Sequence, residues 1–97
     1  MKDVKYFYLF QIYGKVLTPL QAEMTEMYYS FDMSLSEIAE IKGVSRQSVE
    51  GTLKKSREEL DRLEQKLGNY ALTLRLKRFA EDLPEDYKTR LTEILEE

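Results

Sequence analysis

The stretch from Ser34 to Leu53 constrains this chain more than any other part of it. Ser34 and Ser45 stand where a side-chain oxygen caps the free N–H groups of a helix start, and Glu37, three residues after Ser34, completes a capping box. Between them, Ala39 and Gly43 are four apart. Ala39 is small enough for two helices to cross there, and Gly43 supplies the backbone freedom that the turn needs. Val44, Val49 and Leu53 are expected to fill the wedge between the two helices. A small residue, a glycine and apolar side chains at these offsets have the layout of a helix-turn-helix over residues 35–54.

The flanking segments read as helices too, so the fold class is all-α. Residues 4–17 are almost continuously apolar or aromatic, from Val4 through Tyr6, Phe7, Tyr8, Leu9, Phe10, Ile12 and Tyr13 to Val16 and Leu17. A helix with so much apolar circumference serves either as a central core helix or also as part of a dimer interface. Thr18-Pro19 marks the next helix start. Leu20, Met24, Met27, Tyr28 and Phe31 then form one stripe, its methionines read as packing rather than a binding face. The second helix of the motif runs by pattern from Arg46 to Leu67, ending at Gly68-Asn69. Val49, Leu53, Ser56, Leu60, Leu63 and Leu67 give it a heptad seam, and the part beyond the motif finds no evident partner in the first half of the chain. Residues 70–83 fit a helix through Leu72, Leu76, Phe79 and Leu83, and Pro84 opens a last helix with Tyr87, Leu91, Ile94 and Leu95 on one side. The domain reading is a core over residues 1–68 and a helical extension over residues 69–97, packing on the core or on a second copy.

Composition narrows the chemistry. At 97 residues, with 42% hydrophobic and 34% charged residues, the chain suits a small helical domain rather than a disordered one. It has no cysteine and no histidine, which removes thiolate and imidazole metal sites and the usual acid–base machinery. The many glutamates fall at solvent-facing helical positions, and there is no glycine-rich phosphate loop. An enzyme is therefore not expected, nor is a metal or cofactor. Charges at Lys2, Asp3 and Lys5 interrupt what would be a leader's apolar segment, and no apolar run approaches the roughly 20 residues that span a bilayer. The expectation is a cytoplasmic protein without membrane contact.

Net charge is −3, but it is unevenly spread. Residues 42–57 carry Lys42, Arg46, Lys54, Lys55 and Arg57 against Glu50 alone, whereas residues 1–41, 58–67 and 68–97 are each net acidic. The only basic island thus coincides with the second helix of the motif, the one that enters the major groove when such motifs bind DNA. In that reading Arg46 and Gln47 contact base edges from the first turn, where Ser48 also stands, and Ser36, Ser45, Thr52, Lys54 and Lys55 hold phosphates. Glu50 and Gly51 interrupt the basic face. A carboxylate repels phosphate, and an interior glycine costs about 0.5–1 kcal/mol relative to alanine.

The run Leu17-Thr18-Pro19-Leu20-Gln21, then Tyr28-Tyr29, then Ser34 to Glu40, then Val44 to Val49 resembles region four of bacterial sigma factors. Together with the aromatic first helix, it resembles the YlxM family of small proteins more closely, over about residues 4–68. The resemblance implies a sigma-region-four-like helix-turn-helix of the winged-helix-like superfamily, without a wing, encoded beside signal recognition particle genes. It also implies two kinds of partner: double-stranded DNA, or signal recognition particle protein or RNA bound by an adaptor that does not read DNA sequence. Surplus apolar surface adds the expectation of a homodimer.

Overall fold

The computed structural model describes residues 2–96, and every one of its regular elements is helical. Helices α1 (Val4–Tyr13), α2 (Pro19–Thr25), α3 (Leu35–Lys42) and α4 (Arg46–Leu67) lie in a first unit that ends at Leu67. Helices α5 (Asn69–Ala80) and α6 (Glu85–Leu95) lie in a second unit that begins at Gly68.

The first unit is organised by the buried side of α4. Val49, Leu53, Ser56 and Leu60 recur at spacings of four, three and four, so they share one face, and all are at most 1% exposed. Against the first half of this seam pack Met24 of α2 and Ile38 and Ala39 of α3, with Met27, Tyr28, Met33 and Leu35 closing the edges. The pair α3–α4 is the helix-turn-helix. Gly43 takes φ +66°, the N–H of Val44 donates to the Ala39 carbonyl (3.1 Å) and that of Gly43 to the Glu40 carbonyl (3.3 Å). This double closure is a Schellman turn, which needs a left-handed residue where Gly43 stands.

The second half of the seam has a partner within the chain, contrary to expectation. Helix α1 packs along it. Leu9 and Tyr13 are buried, the Tyr6 hydroxyl donates to Asp61 Oδ2 (2.8 Å) and the Tyr13 hydroxyl to Glu64 Oε1 (2.8 Å). Lys5 Nζ lies 3.0 Å from Asp61 Oδ1. The aromatic helix is amphipathic in a way that hydropathy alone hides: Tyr6 and Tyr13 turn toward α4 and direct their hydroxyls to its carboxylates, while Tyr8 is exposed. Leu60 is thus fully covered and Leu63 half-covered, while Leu67 at the helix end stays exposed.

Other expectations shift by a residue or a turn. The first helix stops at Tyr13, and residues 14–16 tighten into an i→i+3 turn before Leu17. Helix α2 widens at Glu26–Ser30, where the Phe31 N–H reaches back five residues to the Glu26 carbonyl (3.1 Å). The wide turn rotates the next residues out of the helical stripe, so Phe31 is exposed. Leu20, in the first turn, is exposed as well. Val44 sits at the rim rather than in the wedge because the Schellman turn carries it past the helix end. Lys2 ties the loop after the wide turn: its ammonium donates to the carbonyls of Tyr28 (2.8 Å) and Met33 (2.6 Å) and pairs with Asp32 (3.2 Å).

In the second unit Pro84 precedes α6, and the Lys88 N–H donates to its carbonyl (3.0 Å). Leu76, Leu83, Leu91 and Leu95 are half-buried, whereas Leu72, Phe79, Tyr87 and Ile94 are exposed.

Replacing Leu60 by alanine removes a fully buried side chain from the α1–α4 seam and is expected to cost about 2–5 kcal/mol. Ala39→Leu overpacks the helix crossing and is expected to cost about 1–3 kcal/mol. Equilibrium urea unfolding checks both; an unchanged midpoint for either places that side chain outside the packed core.

Candidate nucleic-acid interface

The same seam that buries one side of α4 turns the opposite side to solvent. Gln47, Gly51, Lys55 and Glu58 succeed one another at offsets of four, four and three, on the face opposite Val49, Leu53, Ser56 and Leu60, and all four are exposed. Ser48 and Lys54 flank this ridge, also exposed, and Thr52 lies lower and half-buried. Grooves run along both sides. Lys54 lines one with Tyr28, Leu35, Glu50 and Arg57, and Lys55 lines the other with Val16, Thr18, Gln21 and Arg62.

The start of α4 is set by Ser45. Its hydroxyl oxygen accepts from the Ser48 N–H (3.0 Å) and its carbonyl from the Val49 N–H (3.2 Å). Ser45 is therefore engaged in capping, and Ser48 donates its backbone to that cap. Helix α3 starts in the same way, the Ser34 hydroxyl accepting from the Glu37 N–H (3.0 Å) and the Glu37 carboxylate from the Ser34 N–H (3.0 Å). Those bonds, that from the Ser34 backbone first, hold the Glu37 carboxyl below its ordinary value of 4.5. This cap stabilises the fold above the ordinary carboxylate range and is lost as pH falls through the lowered value. Ser36, exposed on the first turn of α3, stands on a different helix from the other candidate residues.

Ion pairing divides the five cations of the basic island. Lys42 pairs with Glu23 of α2, Arg46 Nε lies 3.7 Å from Glu50 Oε1 one turn on, and Arg57 Nη1 donates to the Tyr29 hydroxyl (3.3 Å). Burial raises the Tyr29 phenol above its ordinary value, with Arg57 opposing the shift. Among the described residues Lys54 and Lys55 form no ion pair, so the positive field around the first half of the outward ridge comes chiefly from these two, with the Glu58 carboxylate opposing it further along. The Arg46–Glu50 spacing was visible in the sequence; the partners of Lys42 and Arg57, distant along the chain, were not.

Among the described residues no group of acidic side chains is arranged to hold a metal ion, and no helix is long and apolar enough to cross a membrane. A family model described as "Putative helix-turn-helix protein, YlxM / p13 like", the UPF0122 family, matches residues 1–96. The chain belongs to this family. A UPF0122 protein of Symbiobacterium thermophilum is 43% identical over 86 residues, covering 88% of this chain and 80% of that protein. A UPF0122 protein of Acetivibrio thermocellus is 41% identical over 81 residues, or 84% and 69% of the two chains. Identity to a UPF0122 protein of Thermoanaerobacter pseudethanolicus is 48% over 60 residues, 62% of this chain and 51% of the relative, so that match spans about half the relative's length. The α3–α4 pair is the helix-turn-helix of this UPF0122 chain.

Ser45→Ala removes the α4 cap and is expected to lower stability by about 0.5–2 kcal/mol. Thermal unfolding followed by circular dichroism measures it, and a melting temperature equal to the parent's would show that α4 starts without help from Ser45.

Proposed function

We propose that this UPF0122 chain is a non-enzymatic regulatory protein that binds double-stranded DNA by seating the first half of α4 in the major groove. The observation that carries the reading is charge placement. An acidic chain centres its most basic segment, residues 42–57, on the second helix of a helix-turn-helix and leaves Lys55 on the outward ridge and Lys54 beside it without an ion pair. Gln47 then offers an amide to base edges, with adenine its best partner, and Arg46, released from Glu50, a guanidinium suited to guanine. Lys54, Lys55, Ser36 and Thr52 contact phosphates, and Ser45 keeps the helix start in place. Helix-turn-helix scaffolds serve other ends too, so the function lives in these exposed side chains and not in the fold.

The Arg46→Ala, Lys55→Ala double variant is expected to keep parental helicity and to lose at least tenfold in duplex affinity at low salt. Loss of the Lys55 contact is expected to lower the slope of log affinity against log salt by about one. Fluorescence anisotropy on genomic fragments across a salt series measures both. Parental affinity in the variant overturns the groove assignment. Binding to signal recognition particle protein or RNA, with little salt dependence and no duplex binding, would instead make the chain an adaptor.

A second copy of the chain is proposed to complete the protein. Helix α1 buries one side on α4 and leaves Val4, Tyr8 and Ile12 outward at successive offsets of four, and the second unit exposes Leu72, Phe79, Tyr87 and Ile94. A two-fold dimer covers such faces reciprocally and presents two recognition helices, which at a separation of about 34 Å read a palindrome. Sedimentation analysis is expected to show a species of twice 11.5 kDa, and a lone 11.5 kDa species at high micromolar concentration would rule the dimer out.

A further inference from the structure

We infer that Gly51 sets how deeply α4 seats in the duplex, acting as the point of closest approach between this helix and the nucleic acid. The inference rests on the DNA-binding reading and adds to it a residue that neither pairs with nor recognises a base through its side chain. Gly51 lies in the interior of a 22-residue helix, where glycine is a poor helix former. Two ordinary reasons for a glycine are absent. Its backbone is regular helix, with positive φ among the described residues only at Asp32, Gly43 and Gly68, so no left-handed conformation requires it. A Cβ built on it would meet nothing within 4 Å, so no neighbour in the chain needs the space. The space beside Gly51 is therefore open to something outside the chain.

The position of Gly51 bears on what could use that space. It lies midway between Gln47 and Lys55 on the ridge opposite the buried seam, with Lys54 beside it. The ridge is therefore bare backbone at its centre and carries a long polar or cationic side chain one turn away on either side. A helix with its side chains is about 10–12 Å across, close to the roughly 12 Å width of the major groove, so a missing side chain on the leading face lets the backbone move inward. That inward movement brings the amide of Gln47 to the base edges and the ammonium groups of Lys54 and Lys55 to the phosphates along the groove walls. Of the charges around Gly51, Glu50 is paired with Arg46, and Glu58 lies two turns further along the ridge. The nearest charges without an ion pair are thus the ammonium groups of Lys54 and Lys55, which match a polyanion and not an apolar helix; the occupant that fits is duplex nucleic acid.

The test is a size series, Gly51→Ala and Gly51→Leu, on the full chain. Both replacements are strong helix formers, so both variants are expected to melt at or above the parental temperature. Duplex affinity is expected to fall at least threefold for alanine and at least tenfold for leucine, and the leucine variant is expected to show a shallower salt slope, because a helix held out of the groove loses the Lys54 and Lys55 contacts to phosphate. If the parent binds duplex and both variants bind as tightly, the closest-approach role is overturned while the DNA-binding reading stands. If the parent binds no duplex at any salt concentration, both are overturned together. Loss of self-association in the variants with duplex affinity intact would assign the space to a second copy and also overturn the inference. Should the leucine variant fail to fold, the alanine variant decides alone, since a single methyl group in open space leaves the fold intact.

Discussion

One buried line of side chains along α4 determines how the rest of the first unit is placed. Val49 and Leu53 close the helix-turn-helix core, Leu60 closes the packing of α1, and Ser56 sits between them with its hydroxyl donated to the Thr52 carbonyl (3.0 Å). Each fully buried aliphatic side chain on that line contributes about 1.5–3 kcal/mol of transfer free energy, more than any exposed ion pair nearby. Because the two halves of the line are covered by different helices, α4 is held at both ends against rotation about its own axis. The direction of the opposite ridge is fixed in consequence, and with it the orientation of Gln47, Gly51 and Lys55.

Electrostatics then decides how much of the nominal charge is available. Five basic residues in one segment suggest a strong positive surface, yet Lys42, Arg46 and Arg57 each have an acidic or phenolic partner. The exposed Arg46–Glu50 pair contributes little to stability and costs little to break, so Arg46 remains available to a ligand. Lys42, half-buried against Glu23, serves packing of α3 on α2.

The helix-turn-helix was legible because it depends on local rules: two serine caps, one left-handed glycine and apolar residues at helical spacing. The course of α1 was not. Nearly every residue in Val4–Tyr13 is apolar, aromatic or aliphatic-stemmed, so periodicity could not say which side would be buried. The side was chosen by hydroxyl-to-carboxylate bonds from Tyr6 to Asp61 and from Tyr13 to Glu64, 55 and 51 residues away. The same blindness to distant partners left Leu60 without a cover in the sequence, whereas Phe31 was given a place in the core because regular helical spacing does not foresee the wide turn just before it. For the candidate interface, the sequence located the basic helix and its outward residues, but which lysines are left unpaired depends on contacts from α2 and the tyrosines beside it.

The wide turn at Glu26–Ser30 can be regarded as one extra residue carried inside an otherwise ordinary helix. The loop beyond it is tied to the same turn, since the Met33 N–H donates to the Met27 carbonyl (3.0 Å), and Lys2 holds the carbonyls on either side. A deletion of one residue there would restore the regular pitch and re-phase the chain entering α3 by about 100°. A single-residue insertion or deletion in this segment therefore acts not through a ligand but by changing the angular register between the α1 end of the unit and the helix pair downstream of it.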